Sequence, residues 1–348
     1  MDATTVAIDL AKDVYQIAIS HRDGAITTRR RLTRRQFALF VESLSCGTTV
    51  VMESCATAHY WARRCGARGA TVRILPAQYV KPYVRRDKND RADTDALLEA
   101  NRCGTIHAVP IKTVEQQMIQ GLHRVRRQWQ QTRTGRINLL RALLREQGLA
   151  FPTGRAGRTA LATALADSQS VVPSILRGTL AAVLDEVRVL TDQVRALDRQ
   201  LRHLAGALPA AQRLQQIPGV GVITATALVG SVPHIRAFKR GRQFASWLGL
   251  TPRESSSGAR RRLGRMSKRG DRYLRTLLVH GARSALRVSE LYVSRANGRP
   301  TALQRWATAT ATRCGRNRAT VALANKLARI IWKVWTHDLD FMSPVALA

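Results

Sequence analysis

"TTVAIDLAKDVYQIAIS", Thr4 to Ser20, contains two β-rich runs, Val6 to Leu10 and Val14 to Ile19, around a short Ala-Lys-Asp turn. The pattern predicts a hairpin with Asp9 inside its first strand. Working outward, "TTVVMES" (Thr48 to Ser54) reads as another strand and ends on Glu53. A helix of roughly Ala58 to Cys65 follows, then the strand "TVRILPA" (Thr71 to Ala77) and a long basic helical segment starting near Gln78. Strands followed by alternating helix and strand indicate an α/β layer with a mixed sheet. Within it, a carboxylate in a strand core is costly unless it is paired or binds a metal.

"KNDRADTDALLEA", Lys88 to Ala100, adds more carboxylates. Asp90 and Asp93 share one face of a helix, where like charges repel. Arg86, Lys88 and Arg91 are one means of neutralising them. A divalent cation held by hard oxygen ligands is the other, and would suit phosphoryl transfer.

The 348 residues carry 57 Lys and Arg against 23 Asp and Glu, a net charge of +34. That surplus calls for a polyanionic partner, and nucleic acid fits a basic surface spread over the whole chain. A short packaging protein is excluded by the length, by a hydrophobic content of 45% and by the lack of low-complexity blocks. Cys46, Cys55, Cys65, Cys103 and Cys314 form no CxxC pair, which argues against a disulfide framework or a zinc ribbon and for a reducing compartment. "MDATTVAID" lacks the regions of a signal peptide. Leu214 to Ile235 is uncharged but holds two prolines, two glutamines and a PGVG turn, so it reads as a buried helical hairpin and not a membrane span. The expected location is the prokaryotic cytoplasm, with the protein nucleoid-associated.

In the middle, Leu180, Val183, Val187, Leu190, Val194, Leu197, Leu201, Leu204 and Leu208 form a heptad seam of coiled-coil type. Met118, Leu122, Val125, Trp129, Thr132, Leu139 and Leu143 repeat the rhythm more weakly. The two runs pair within one chain or join protomers; sequence leaves both open. Phe151 to Ser170, broken by glycine and proline, reads as a flexible connection.

Downstream, "LQQIPGVGVITATALV" (Leu214 to Val229) has helix-hairpin-helix spacing. Gly219 and Gly221 allow a tight turn whose N–H groups approach a phosphate, or serve an ordinary turn between core helices. Thr251 to Arg275 then carries nine basic residues against two acidic ones. Arg260, Arg261, Arg262, Arg265, Lys268, Arg269 and Arg272 are the candidate phosphate contacts, and three serines followed by Gly258 mark an exposed turn. Tyr273, between Arg272 and Arg275, is a competing nucleophile, although a helical tyrosine with a buried ring and wet hydroxyl is commoner. His59 and His280 read as packed or hydrogen-bonded residues.

"AIDLAKD", "VVMESCATAHYWAR" and "KNDRADTDALLEA" together resemble the DEDD transposases of the insertion sequence 110 family, 1111 subgroup. The resemblance implies an N-terminal domain with the RNase H-like fold of the Holliday junction resolvase RuvC, and places the tetrad on Asp9, Glu53, Asp90 and Asp93. Asp95 falls outside the tetrad, as a helix-surface residue or an auxiliary ligand. "FASWLGLTPRESSSGARRRLGRMSKRGDRYLRTLLVHGARSAL" and "RATVALANKLARIIWKVW" resemble the same family's C-terminal domain. There the implied covalent nucleophile is Ser257, with Ser255 and Ser256 one or two residues away, and Ala259 stands where many relatives have a second glycine. The expected domains are a RuvC-like catalytic domain (1–110), a helical coiled-coil segment (111–209) and a mainly α-helical transposase domain (210–348).

The resemblance further implies Mg²⁺, as two ions with Mn²⁺ as a substitute, donor and target DNA, and a structured noncoding guide RNA. It also implies a homo-oligomer, dimer or tetramer, in which one protomer's serine completes another's carboxylate site. Two other readings stay open: a metal-dependent junction nuclease that hydrolyses DNA with water, and an architectural nucleic-acid-binding protein whose carboxylates only pair with arginines.

Overall fold

The computed structural model describes residues 4–21, 25–84, 90–167, 169–294 and 300–341, with Asp90 described by its backbone alone. The chain forms two compact units, the first ending at Thr113 and the second beginning at Val114.

The first unit is a five-stranded mixed sheet. Its strands are β1 (Thr5–Leu10), β2 (Val14–Ser20), β3 (Ile26–Thr33), β4 (Thr49–Glu53) and β5 (Thr71–Leu75), in the order β3-β2-β1-β4-β5. β1, β2 and β3 are antiparallel neighbours, while β4 and β5 run parallel to β1. Helix α1 (Arg34–Glu42) opens on a capping box in which Thr33 and Gln36 satisfy each other's backbone N–H groups. Helix α2 (Ala58–Ala67) is followed by the short α3 (Ala77–Val80), and α4 (Asp90–Arg102) closes the unit.

Alternation along the strands divides the sheet into two faces. Val6, Ile8, Ile17, Val50, Met52 and Ile74 pack with Phe37 and Val41 of α1 and Trp61, Ala62 and Cys65 of α2. Tyr15 stacks on Phe37 at 4.4 Å between ring centres, and Trp61 meets Phe37 edge-on at 4.6 Å. The other face, Ala7, Ala18, Val51 and Leu75, packs against Ala96, Leu97 and Ala100 of α4. Small alanines in the two central strands let α4 sit close to the sheet.

The second unit begins with α5 (Val114–Glu146), α6 (Gly154–Ala166) and α7 (Ser174–Ala207). α5 and α7 are antiparallel, because Arg126 pairs with Asp198 and the later Arg136 with the earlier Glu186. Within the chain, then, the two long helices pair with each other. The remaining elements are α8 (Pro209–Gln215), α9 (Val222–Ser231), α10 (Gly241–Trp247), the two-stranded hairpin of β6 (Pro252–Glu254) and β7 (Leu263–Met266), α11 (Arg272–Ser294), α12 (Ala302–Cys314) and α13 (Arg316–Thr336). Leu214, Leu228, Phe244, Leu278, Leu323 and Ile331 lie in their shared core. No helix among the described residues is long and apolar enough to cross a membrane.

Three expectations need correction. The basic segment after Gln78 is not one long helix: α3 ends at Val80 and a single 3₁₀ turn follows over Lys81–Tyr83, since Pro82 cannot continue an α-helical ladder. Residues 151–170 are not a loose connection but hold α6, whose alanines favour helix and whose Leu161 is buried in a cluster with Leu180 and Leu184 of α7. In α5 the inward stripe is Ile119, His123, Leu140 and Leu144, whereas Met118, Val125 and Leu139 are exposed. His123 and Arg126 occupy the seam as polar members with their own partners, so an apolar count slipped by one residue. On α7, Leu180, Val187, Val194, Leu197 and Leu201 of the expected seam are buried, while Val183, Leu190, Leu204 and, at the C-cap, Leu208 are half-buried and Leu184, outside the seam, is buried.

Candidate active site

Strand register assembles the first set of candidates. Asp9 lies opposite Gln16, and Gln16 opposite Arg31, across antiparallel pairs. Residues directly opposite share a face. Asp9 is two residues beyond Ala7, and Glu53 two beyond Val51, so both share the face that Ala7 and Val51 turn toward α4. One end of the sheet therefore carries the row Arg31, Gln16, Asp9, Glu53 on the α4 side.

α4 packs on β1, β2 and β4. Asp93 precedes buried Leu97 by one helical turn, which aims it at the same face. The carboxylates of Glu53 and Asp93 sense each other: partial burial raises the Glu53 pKa first, and the Asp93 charge raises it further. Asp90 heads the same helical stripe in the backbone, while its side chain, like Arg86 and Lys88, is outside the described residues. Among the described residues no three His, Cys, Asp or Glu side chains already stand in a metal cage. Two half-buried carboxylates in electrostatic contact, with Asp9 beside Glu53 on the neighbouring strand, are nevertheless a donor set of the hard-oxygen type that suits Mg²⁺.

The neighbours of this row are otherwise occupied. Asp95 pairs with Arg29 at 2.8 Å, which makes it a brace between α4 and β3. His59, buried on α2, accepts the Lys112 N–H at 3.3 Å. Burial, then Lys112 and Arg63, lower its pKa to about 4, so the imidazole is neutral, and its helix covers the opposite sheet face.

In the second unit, β6 and β7 lift the serine loop into solvent. Ser257 and Arg260 form a two-bond bridge, N to O at 3.3 Å and 3.1 Å, that closes the hairpin tip. Gly258 takes the first central position with φ of 53°, the conformation a tight hairpin turn asks of glycine. Ala259 keeps a negative φ, so alanine is accommodated there without strain. The three serines differ in their bonds. Ser256 donates to Glu254 at 3.0 Å and accepts the Arg262 N–H at 3.2 Å, which commits its hydroxyl to holding the hairpin. Ser257 sits at the tip, exposed, with no partner for its hydroxyl among the described residues. Arg260, Arg261, Arg262, Arg265, Lys268, Arg269 and Arg272 are all exposed around it, and Arg261 is tied to Glu254. The Glu254 to Ser256 brace went unread in the sequence; its only signal was an acid set beside the three serines in a basic stretch.

The glycine turn has a packing role. Gly219 has φ of +88°, and a Cβ there would stand 2.5 Å from the Gly281 carbonyl oxygen of α11, so two backbones touch. Gly221, exposed at the N-cap of α9, has open space around it. Tyr273 is not the wet tyrosine expected. Its hydroxyl lies 3.0 Å from His123 Nδ1, and His123 Nε2 lies 3.0 Å from Thr226 Oγ1. Because Thr226 already donates to the Val222 carbonyl, Nε2 carries the imidazole proton and the phenol donates to Nδ1. Burial raises the Tyr273 pKa, which disfavours a phenolate nucleophile. His280, expected to be packed, is exposed.

Comparison with known proteins agrees with both halves. The family model described as "Transposase IS116/IS110/IS902 family" matches residues 211–296, and a second model, described as "Transposase", matches residues 6–148. A Pseudomonas aeruginosa protein named "Probable family 20 transposase" is 41% identical over 97% of this chain and 98% of its own length. The transposase for insertion sequence element IS1111A of Coxiella burnetii is 38% identical over 97% of this chain and 91% of its own. The transposase for insertion sequence element IS1328 of Yersinia enterocolitica is 35% identical over 98% and 99%. With relatives of this identity along nearly the full length, the chain belongs to the IS110/IS116/IS902 family of transposases, enzymes that act on DNA.

Proposed function

We propose that the protein cuts and rejoins DNA strands through a covalent phosphoserine intermediate at a site assembled from the carboxylate row and Ser257. The observation that supports this reading is that Asp9 and Glu53 share one end of the sheet face packed by α4, with the Asp93 charge of α4 acting on Glu53. The strand order and directions support an RNase H-like first unit.

Asp9, Glu53, Asp93 and, in the same helical stripe, Asp90 would hold Mg²⁺, which when bound supplies charge for activating a nucleophile and stabilising a leaving oxygen. Ser257 Oγ forms a bond to phosphorus as the bond from phosphorus to the leaving deoxyribose oxygen breaks, and the serine proton passes to that oxygen. Attack by another strand's hydroxyl reverses the exchange and frees the serine. Exposed arginines of the hairpin stabilise the charge on the phosphoryl oxygens. Following the family resemblance, a structured noncoding RNA guides donor and target DNA, and the serine and the carboxylates come from different protomers of a homo-oligomer.

The test is a cleavage reaction on DNA carrying the element's end junction, with Mg²⁺ and RNA transcribed from its flanks, resolved on denaturing gels. A protein-linked DNA band that disappears in both Ser257→Ala and Asp93→Asn is the expected result. Free cut ends with no linked band, unchanged in Ser257→Ala, would make the protein a hydrolytic nuclease.

A further inference from the structure

The row of side chains that contains Asp9 does not stop at the carboxylates. It continues through Gln16 to Arg31 on the edge strand β3. Two strand spacings, about 10 Å, separate Asp9 from Arg31, so the guanidinium stands beside the carboxylate end of the sheet and on the same face. Arg30 and Arg31 are exposed on β3 and Arg91 is exposed on α4. With Gln16, Ile17, Arg29 and Thr94 they line an open cleft of about 640 Å³ at the sheet edge.

The charges in this cleft are unequal in their commitments. Arg29 is spent on the fold: it pairs with Asp95 at 2.8 Å and reaches Thr94 at 3.4 Å. Arg30, Arg31 and Arg91 have no carboxylate within salt-bridge distance among the described residues. Basic residues on an edge strand do serve to prevent strand pairing between copies, but that purpose needs no particular face and no contribution from a helix. Here Arg31 of β3 and Arg91 of α4, both uncompensated, line one cleft with Gln16, the cross-strand neighbour of Asp9, while Arg30, opposite Ile17 of the other sheet face, lines the same cleft from the open edge. Guanidinium is suited to phosphate through its fork of donors.

We propose that Arg30, Arg31 and Arg91 form a phosphate track that holds the DNA strand running out of the carboxylate site, with Arg29 and Asp95 as the brace that fixes β3 against α4. The assignment to the cut strand rests on the carboxylate row being the cleavage site. The track positions the backbone beside the scissile phosphate and reads no bases.

The experiment measures binding of the full chain to a fluorescein-labelled single-stranded deoxyoligonucleotide from the element's end, by anisotropy in EDTA, over a salt series. RNA of the same sequence is run in parallel. For Arg30→Gln/Arg31→Gln the expected loss of DNA affinity is on the order of tenfold or more. The log affinity against log salt slope should become shallower by about 1.4, which is about 0.7 per lost single-strand contact. Arg30→Lys/Arg31→Lys should restore the slope, and an unchanged circular dichroism melt shows that the fold is intact. Unchanged affinity and slope in the Gln variant overturns the track and leaves edge protection as the role of these arginines. A loss confined to RNA overturns the assignment to DNA. The carboxylate reading fails separately, through cleavage that survives Asp93→Asn while the arginine variant still weakens DNA binding; in that outcome the surface binds DNA but not at the cut.

Discussion

If Glu53 and Asp93 hold the metal as proposed, they illustrate how a functional residue costs stability. Both carboxylates sit half-buried, and the Asp93 charge adds to what burial already costs the ionised Glu53. Asp93→Asn should therefore stabilise the metal-free protein by roughly 0.5 kcal/mol once solvent screening is allowed for, while removing cleavage. Thermal melts in EDTA check the sign, and a destabilised variant would show that Asp93 is held by a cation of the fold. In the same melts, Mg²⁺ should raise the wild-type midpoint and leave the variant's unmoved, because a ligand stabilises only the state that binds it. The serines give a second contrast. Ser256→Ala removes bonds to Glu254 and to the Arg262 N–H, so it should loosen the hairpin and reduce formation of the DNA adduct partially. Ser257→Ala should abolish the adduct without affecting the melt. Asp9, Glu53 and Asp93 were recognisable in the sequence because charge inside an apolar strand or at repelling helical spacing is locally anomalous. Ser256 and Ser257 were not separable there, since their difference lies in which hydroxyl the hairpin consumes.

The helices of the second unit meet at two contacts that periodicity does not reveal. One is the buried triad of His123 on α5, Thr226 on α9 and Tyr273 on α11, faced by Arg126, Arg127 and Asp198. Burial first, then Arg126, lowers the His123 pKa from 6.5 to about 4, with Asp198 acting weakly in the opposite direction. A depressed folded value means that this contribution to stability is complete above pH 6.5, falls as the pH drops and is gone below about 4. The His123 share of the loss over that window should reach about 3 kcal/mol, read as a falling denaturant midpoint by tryptophan fluorescence, and His123→Asn should remove that share while leaving the one from His59. The other contact is Gly219 against Gly281, where a Cβ on Gly281 would stand 1.9 Å from the Gly219 carbonyl oxygen. Gly281→Ala should destabilise by about 2–3 kcal/mol, and a wild-type melting temperature in that variant would refute the contact. Sequence inspection left the turn glycines open between phosphate contact and an ordinary turn, because the partner of Gly219, Gly281, is 62 residues away in the chain.

Across the whole molecule the dominant property is a charge of +34. It is carried by surfaces on both units: the β3 and α4 cleft on one and the serine hairpin on the other. Nucleic-acid affinity of the intact chain should fall by about 1,000-fold or more between roughly 50 and 200 mM salt, the behaviour of a protein that makes many phosphate contacts. A shallow dependence would mean that most of these arginines face no phosphate. Composition determined this preference for a polyanion, and local pattern determined the β1–β2 hairpin, the strand that bears Glu53, the α7 heptads and the family, because alternation, helical repeats and misplaced charges are properties of neighbouring residues. β3 was invisible: "ITTRRRLT" is too polar to announce a strand, and it becomes one by hydrogen bonding along the edge of β2. Likewise the seam of α5, the helix at residues 154–166 and the row from Arg31 to Glu53 were decided only by tertiary structure. In each case the deciding partner is remote in sequence, and register or burial against it determines which face a side chain presents.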